Sequence, residues 1–127
     1  MILVGCLLSG GPAWGKIRVV SDIDDTAKVT NVGSTWPAVW NGVMTARAFT
    51  GMPELYQSMA RERGYAFDYL SGSPTLLEPR IRRFLRVNAF PEGGLTLKPP
   101  LGSGDTHAYK VRAIRGLLEK HPQDQFI

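Results

Sequence analysis

The tightest constraint on this chain is the alternation of short apolar runs with helical stretches from residue 17 onward. Ile17-Arg18-Val19-Val20 is β-branched and ends at Ser21-Asp22. It reads as a buried strand, parallel by its near-continuous apolar character. Gly51-Met52-Pro53-Glu54-Leu55 opens a helix, because proline suits the first helical position and glutamate the positive end of the helix dipole. Leu55, Met59 and Tyr56 supply its apolar stripe, and Gly64 stops it. Residues 65–70 (YAFDYL) read as a second strand, closed by Ser71-Gly72-Ser73-Pro74. A helix follows over residues 75–88, with Ile81, Phe84, Leu85 and Asn88 on one face and Arg80, Arg82, Arg83 and Arg86 around the other sides. Leu95-Thr96-Leu97 is a short strand, and residues 106–120 form a third helix with Ile114, Leu117 and Leu118 inward. His121-Pro122 ends that helix, and Gln125-Phe126-Ile127 begins another strand. Residues 27–50 carry Trp36, Trp40 and Phe49 without clear periodicity and read as a loop or small insertion. The alternation predicts an α/β fold: a parallel sheet with helices on both faces. The reactive site of such a sheet lies at the carboxyl ends of its strands. Asp22 and Ser71 both fall there.

The residues after the first strand carry the chemistry. Asp22, Asp24 and Asp25 crowd carboxylates into Asp22-Ile23-Asp24-Asp25-Thr26. A carboxylate can attack phosphorus and form an acyl-phosphate. A second one two residues on can protonate the leaving alkoxide and later deprotonate water. The plainer alternative is an acidic turn that caps a helix. A calcium loop fits poorly: counting from Asp22, Ala27 stands where glycine is required and Gly33 where glutamate is required. One cysteine, Cys6, excludes an intrachain disulfide and a thiolate zinc cluster, and two histidines make a histidine-rich metal site a poor fit. Any metal here would be held by oxygen, which points to Mg²⁺. The net charge of +4 favours anionic partners, although a solvated mixed-charge surface explains so modest an excess equally well.

Val19-Val20-Ser21-Asp22-Ile23-Asp24-Asp25-Thr26 resembles motif I of the haloacid dehalogenase superfamily. Together with AKVTNV, GMPELY, YLSGSP and FPEGGLTL, it makes residues 16–127 similar to the catalytic domain of actin-patch-type phosphatidate phosphatases, relatives of the lipin catalytic domain. The resemblance implies a three-layer, Rossmann-like parallel sheet with a small or absent cap. It implies Asp22 as nucleophile and Mg²⁺ ligand, and Asp24 as general acid/base with its main-chain carbonyl also on the metal. Thr26 would brace the loop, while Asp25 receives no chemical role. Ser71 would donate to a phosphoryl oxygen, helped by the backbone around Gly72 and the following helix N-terminus. Ser73 has the better local claim to cap that helix. Lys110 would neutralise the phosphoaspartate, with Lys98 as the competing lysine. Thr26, Ser71, Gly72 and Lys110 would contact substrate.

The family's fourth acidic motif should follow the strand that begins at Phe126, so the expectation is a catalytic domain incomplete at its C-terminus. Two readings follow. One is a Mg²⁺-dependent phosphate monoester hydrolase acting through an aspartyl-phosphate, with phosphatidate as the implied substrate. The other is an impaired fragment or pseudoenzyme that binds Mg²⁺ or phosphate without turnover. Residues 1–15 read as a leader, a linker or a clipped export signal: an apolar run, a Gly/Ser/Pro stretch, and small-x-small Ala13-Trp14-Gly15, with no basic residue in front. A cytoplasmic or an exported location would follow accordingly. The arginines at 80, 82, 83 and 86 fit a solvated face or an anionic membrane surface. Trp36, Trp40 and Phe49 fit a small core or an apolar entrance for acyl chains. His107 fits a solvated helix start. No motif supports nucleic-acid binding.

Overall fold

The structure is a computed structural model that describes residues 15–23, 50–100 and 104–127. Strands β1 (Ile17–Asp22), β2 (Ala66–Pro74), β3 (Gly94–Lys98) and β4 (Gln125–Phe126) form one sheet in the order β3-β2-β1-β4, with every neighbouring pair parallel. Helix α1 (Met52–Arg63) precedes β2. A 3-10 turn (Thr75–Leu77) and helix α2 (Glu78–Val87) lead to β3, and helix α3 (Thr106–Lys120) leads to β4. This is the alternating α/β fold that the sequence predicts.

The strand order positions the site. The chain lays β1, β2 and β3 side by side in one direction, then crosses back to place β4 on the other side of β1. That reversal makes the carboxyl ends of β1 and β4 the topological switch point, the place where open α/β sheets bind ligands. Asp22 is the last residue of β1.

Side chains alternate across a strand, so the register assigns each residue to a face. Val19, Phe67, Tyr69 and Leu97 share one face and pack with Tyr56 of α1 and with Ile81, Phe84 and Leu85 of α2. Phe90 closes this layer with an edge-on contact to Tyr56 at 5.8 Å and another to Tyr69 at 6.2 Å. The opposite face carries Arg18, Val20, Asp22, Asp68 and Leu70. Helix α3 lies there: its Lys110 meets Asp22, and its Tyr109 is buried outside the first cluster, as is Leu70.

Helix boundaries follow local chemistry. Pro53 stands in the first turn of α1, and Gly64 ends it at φ 68, a left-handed conformation that glycine adopts without a side-chain clash. Asp105 caps α3 by accepting the Ala108 backbone N–H at 2.7 Å. Gly93 is required for another reason. A Cβ there would collide with the Phe67 backbone carbonyl on the neighbouring strand.

Some expectations about faces are corrected. On α1, Tyr56 is buried while Leu55 is 51% exposed. Tyr56 wins because its ring stacks into the aromatic layer while its hydroxyl shares a 2.9 Å hydrogen bond with Ser21, so a polar-tipped residue outcompetes its fully apolar neighbour. On α3, Ile114 and Leu118 are 40% and 47% exposed, and the inward line is Tyr109, Ala113 and Leu117. Strand β2 is longer than expected and runs through Ser71-Gly72-Ser73 to Pro74, with its pairing to β3 irregular between Ser71 and Pro74. Ser73 is not a helix cap. It lies inside β2, 1% exposed, and the helical segment after Pro74 starts with no side-chain cap.

At the end of the sheet opposite Asp22 is an ionic cluster that the sequence reading missed. Arg18 donates from Nη1 to Asp68 Oδ2 at 2.6 Å and from Nε to Asp124 Oδ2 at 2.8 Å, and its Nη2 lies 3.3 Å from His121 Nδ1. The other Asp124 oxygen accepts the Lys16 backbone N–H at 3.0 Å. Three strands are thereby tied at one point: β1, β2 and the entry to β4.

Candidate active site

The site is built from two elements that reach the same sheet edge. Strand β1 delivers Asp22 at its carboxyl end, and the second turn of α3 delivers Lys110 above it. Lys110 Nζ donates to Asp22 Oδ2 at 2.5 Å, across 88 residues of chain. The two side chains remain 22% and 30% exposed, so this ion pair is open to solvent and to a ligand. The position of Lys110 depends on the α3 cap. The hydrogen bond from the Ala108 N–H holds the Asp105 carboxyl below its usual value, with smaller help from His107 and Lys98.

Of the two lysines weighed from the sequence, the structure brings Lys110 to Asp22. Lys98 ends β3, half-buried, close enough to Asp105 to act on its charge. His107 is exposed in the first turn of α3. Ser71 lies on β2 one residue beyond Leu70, the register partner of Asp22. It is fully buried: its hydroxyl donates to Ser73 Oγ at 2.8 Å and accepts the Ser73 backbone N–H at 3.1 Å. The Ser71 hydroxyl is thus engaged with its own strand. Gly72 is half-buried between the two serines. Asp24, Asp25 and Thr26 lie outside the described residues, as do Trp36, Trp40 and Phe49.

The donor chemistry fits Mg²⁺. That ion takes oxygen ligands, keeps several waters and needs only one or two carboxylates. Asp22 offers such an oxygen donor at a solvent-accessible strand end. Among the described residues, no group of three or more His, Cys, Asp or Glu side chains gathers to form an all-protein cage.

A carboxylate at a strand terminus, clamped by a lysine from the crossover helix, is an arrangement suited to phosphoryl chemistry. A carboxylate so placed can act as a nucleophile, and the ammonium can neutralise charge from a preset position.

Comparison with known proteins agrees with this fold. The sequence model of one family, described as "Phosphatidate phosphatase APP1, catalytic domain", matches residues 17–127. No curated protein sequence matches the chain. Among solved structures, the class C acid phosphatase from Bacillus anthracis is similar with a TM-score of 0.61 at 18% identity, over 89% of this chain and 50% of that one. At this identity the likeness is one of fold, and the chain spans about half the length of that protein.

Proposed function

We propose a function from one premise: this chain belongs to the family of the phosphatidate phosphatase APP1 catalytic domain. The proposed activity is hydrolysis of phosphate monoesters, with a phosphatidate-type lipid as the substrate class that the family name supports. The observation that carries the reading is the Lys110–Asp22 pair at the carboxyl end of β1.

The proposed reaction has two half-steps. The Asp22 carboxylate attacks phosphorus, the ester P–O bond breaks, and the leaving alkoxide takes a proton from the residue that the resemblance assigns, Asp24. Water then gives its proton to Asp24 and attacks the phosphorus of the aspartyl-phosphate, releasing inorganic phosphate and restoring Asp22. Before attack, Lys110 fixes the carboxylate rotamer. Afterwards it faces the phosphoaspartate and offsets charge that develops on the phosphoryl oxygens. Ser71 contributes a donor once its hydroxyl leaves Ser73. Mg²⁺, held by Asp22 and by the Asp24 carbonyl that the resemblance assigns, would supply further neutralisation of phosphoryl charge.

A second reading is a chain that binds phosphate without turnover. The burial of Ser71 and its bond to Ser73 favour it. Hydrolysis of an aryl phosphate with and without Mg²⁺ separates the two readings. Metal-dependent release of phosphate supports the enzyme. Phosphate binding with no release from the folded chain supports the binder.

A further inference from the structure

We infer that the outward face of α2 is a docking surface for an anionic lipid bilayer. Ile81, Phe84 and Leu85 turn inward and are buried, which sends Arg82, Arg83 and Arg86 outward, all of them exposed. Arg80 is exposed as well and is engaged within the chain. The one acid of this helix, Glu78, pairs with Arg82 at 2.8 Å, but both partners are about half exposed. A solvated pair of that kind holds weakly and exchanges readily for another anion. The helix therefore presents a dense positive face whose complement is a negative surface.

Two apolar residues decide which surface. Leu76, in the turn that leads into α2, is 73% exposed, and Val87, its last residue, is 70% exposed. They flank the arginines at the two ends of the helix, a pattern of basic face with exposed apolar residues that suits the headgroup and acyl boundary of a membrane. A polyanion in solution gives Leu76 and Val87 nothing to bury against. Among the described residues no helix is long and apolar enough to cross a membrane. The α2 face also begins at the edge of the sheet that carries Asp22, because β2 feeds into it from its carboxyl end. The helix packs on the sheet face opposite Asp22 and α3, so docking there anchors the chain at the surface and does not by itself deliver a headgroup to Asp22. The inference shares its class of lipid with the lipid-phosphatase reading, but it is tested by binding alone.

The test is sedimentation of the chain with phosphatidylcholine vesicles, pure or doped with phosphatidylserine. The expected result is binding to the doped vesicles only. The triple variant Arg82→Gln, Arg83→Gln, Arg86→Gln should lose on the order of 100-fold in partition coefficient. The triple Arg82→Lys, Arg83→Lys, Arg86→Lys should retain most of it. A charge-matched control, Arg61→Gln, Arg63→Gln, Arg115→Gln, removes the same charge from exposed positions on other helices and should lose far less. Circular dichroism establishes that each variant is folded. Equal loss in the two glutamine triples would reduce the effect to net charge and overturn the inference. So would retention on heparin without retention on doped vesicles. Failure of aryl phosphate hydrolysis would sink the proposed function and leave this result standing. Hydrolysis without α2-dependent vesicle binding would do the reverse.

Discussion

Both ends of β1 carry a carboxylate–cation contact, and the two contacts are built differently. At the amino end, Arg18 meets Asp68 and Asp124, with side chains only 10% to 13% exposed. Burial alone would push the Arg18 guanidinium down, but the bonds to Asp68 and Asp124 more than offset it, and its charge is held above the usual value. Asp124 there also accepts the Lys16 N–H, and His121 sits beside the guanidinium. At the carboxyl end, Lys110 and Asp22 are about twice as exposed and belong to a strand terminus and a helix rather than to adjacent strands. The lesson is that sign complementarity alone does not separate a pair that ties strands together from one proposed to be reactive. Exposure, and whether the partners stand at a strand terminus or on neighbouring strands, set the two apart.

The comparison can be broken by substitution. Asp22→Asn should give the largest effect. Aryl phosphate turnover should fall by roughly 10⁴-fold or more, as when a nucleophile is removed, with little change in the thermal midpoint. An active, well-folded Asp22→Asn chain would end the contrast. Lys110→Met should come next, lowering kcat by about 10²- to 10³-fold, the range for loss of one preset electrostatic donor. Steady-state kinetics on the soluble ester would read it. Arg18→Met should do the opposite: it takes the guanidinium away from two carboxylates at a part-buried edge and should lower the urea unfolding midpoint. The turnover of the molecules that remain folded should be unchanged.

The smallest effect is a pH dependence at the amino end. The hydrogen bond from Arg18, and then that from Lys16 N–H, hold the Asp124 carboxyl below its ordinary value. A carboxyl depressed in the folded state adds stability that is complete above its unfolded pKa, about 3.9, and is lost as pH falls through the lower folded value. Asp124→Asn should therefore lower the neutral-pH midpoint and flatten the acid limb of stability against pH. An acid limb identical to that of the parent would remove Asp124 from the cluster.

Much of this molecule was legible because periodicity and caps act locally. Pro53 and Gly64 marked the ends of α1, and the apolar run at Ile17 marked β1, without knowledge of their neighbours. The failures were tertiary. Nothing local distinguishes Leu55 from Tyr56. The choice was made by Phe67 and Phe90, whose rings receive Tyr56, and by Ser21, which receives its hydroxyl. On α3, the inward line was set by packing against β2 and β3, not by which residues are most apolar. The Arg18 cluster did leave a trace. Arg18 and Asp68 are lone charges inside apolar strands, and parallel pairing places both on one face of the sheet. At the candidate site, Asp22 was readable from its place at the end of β1, but Lys110 as its partner was readable only through motif resemblance, because their contact spans 88 residues. The Ser71–Ser73 bond was not readable, since it depends on the irregular end of β2.

The central claim is that the exposed end of β1 carries a nucleophile. It is tested most directly by acid-quenching the chain during turnover with an aryl phosphate and mapping the phosphoryl group by peptide mass spectrometry. The account predicts a hydroxylamine-labile phosphoryl group on Asp22, absent from Asp22→Asn. A phosphoryl group on Ser71 or Ser73, or steady turnover with Asp22 never modified, would contradict it.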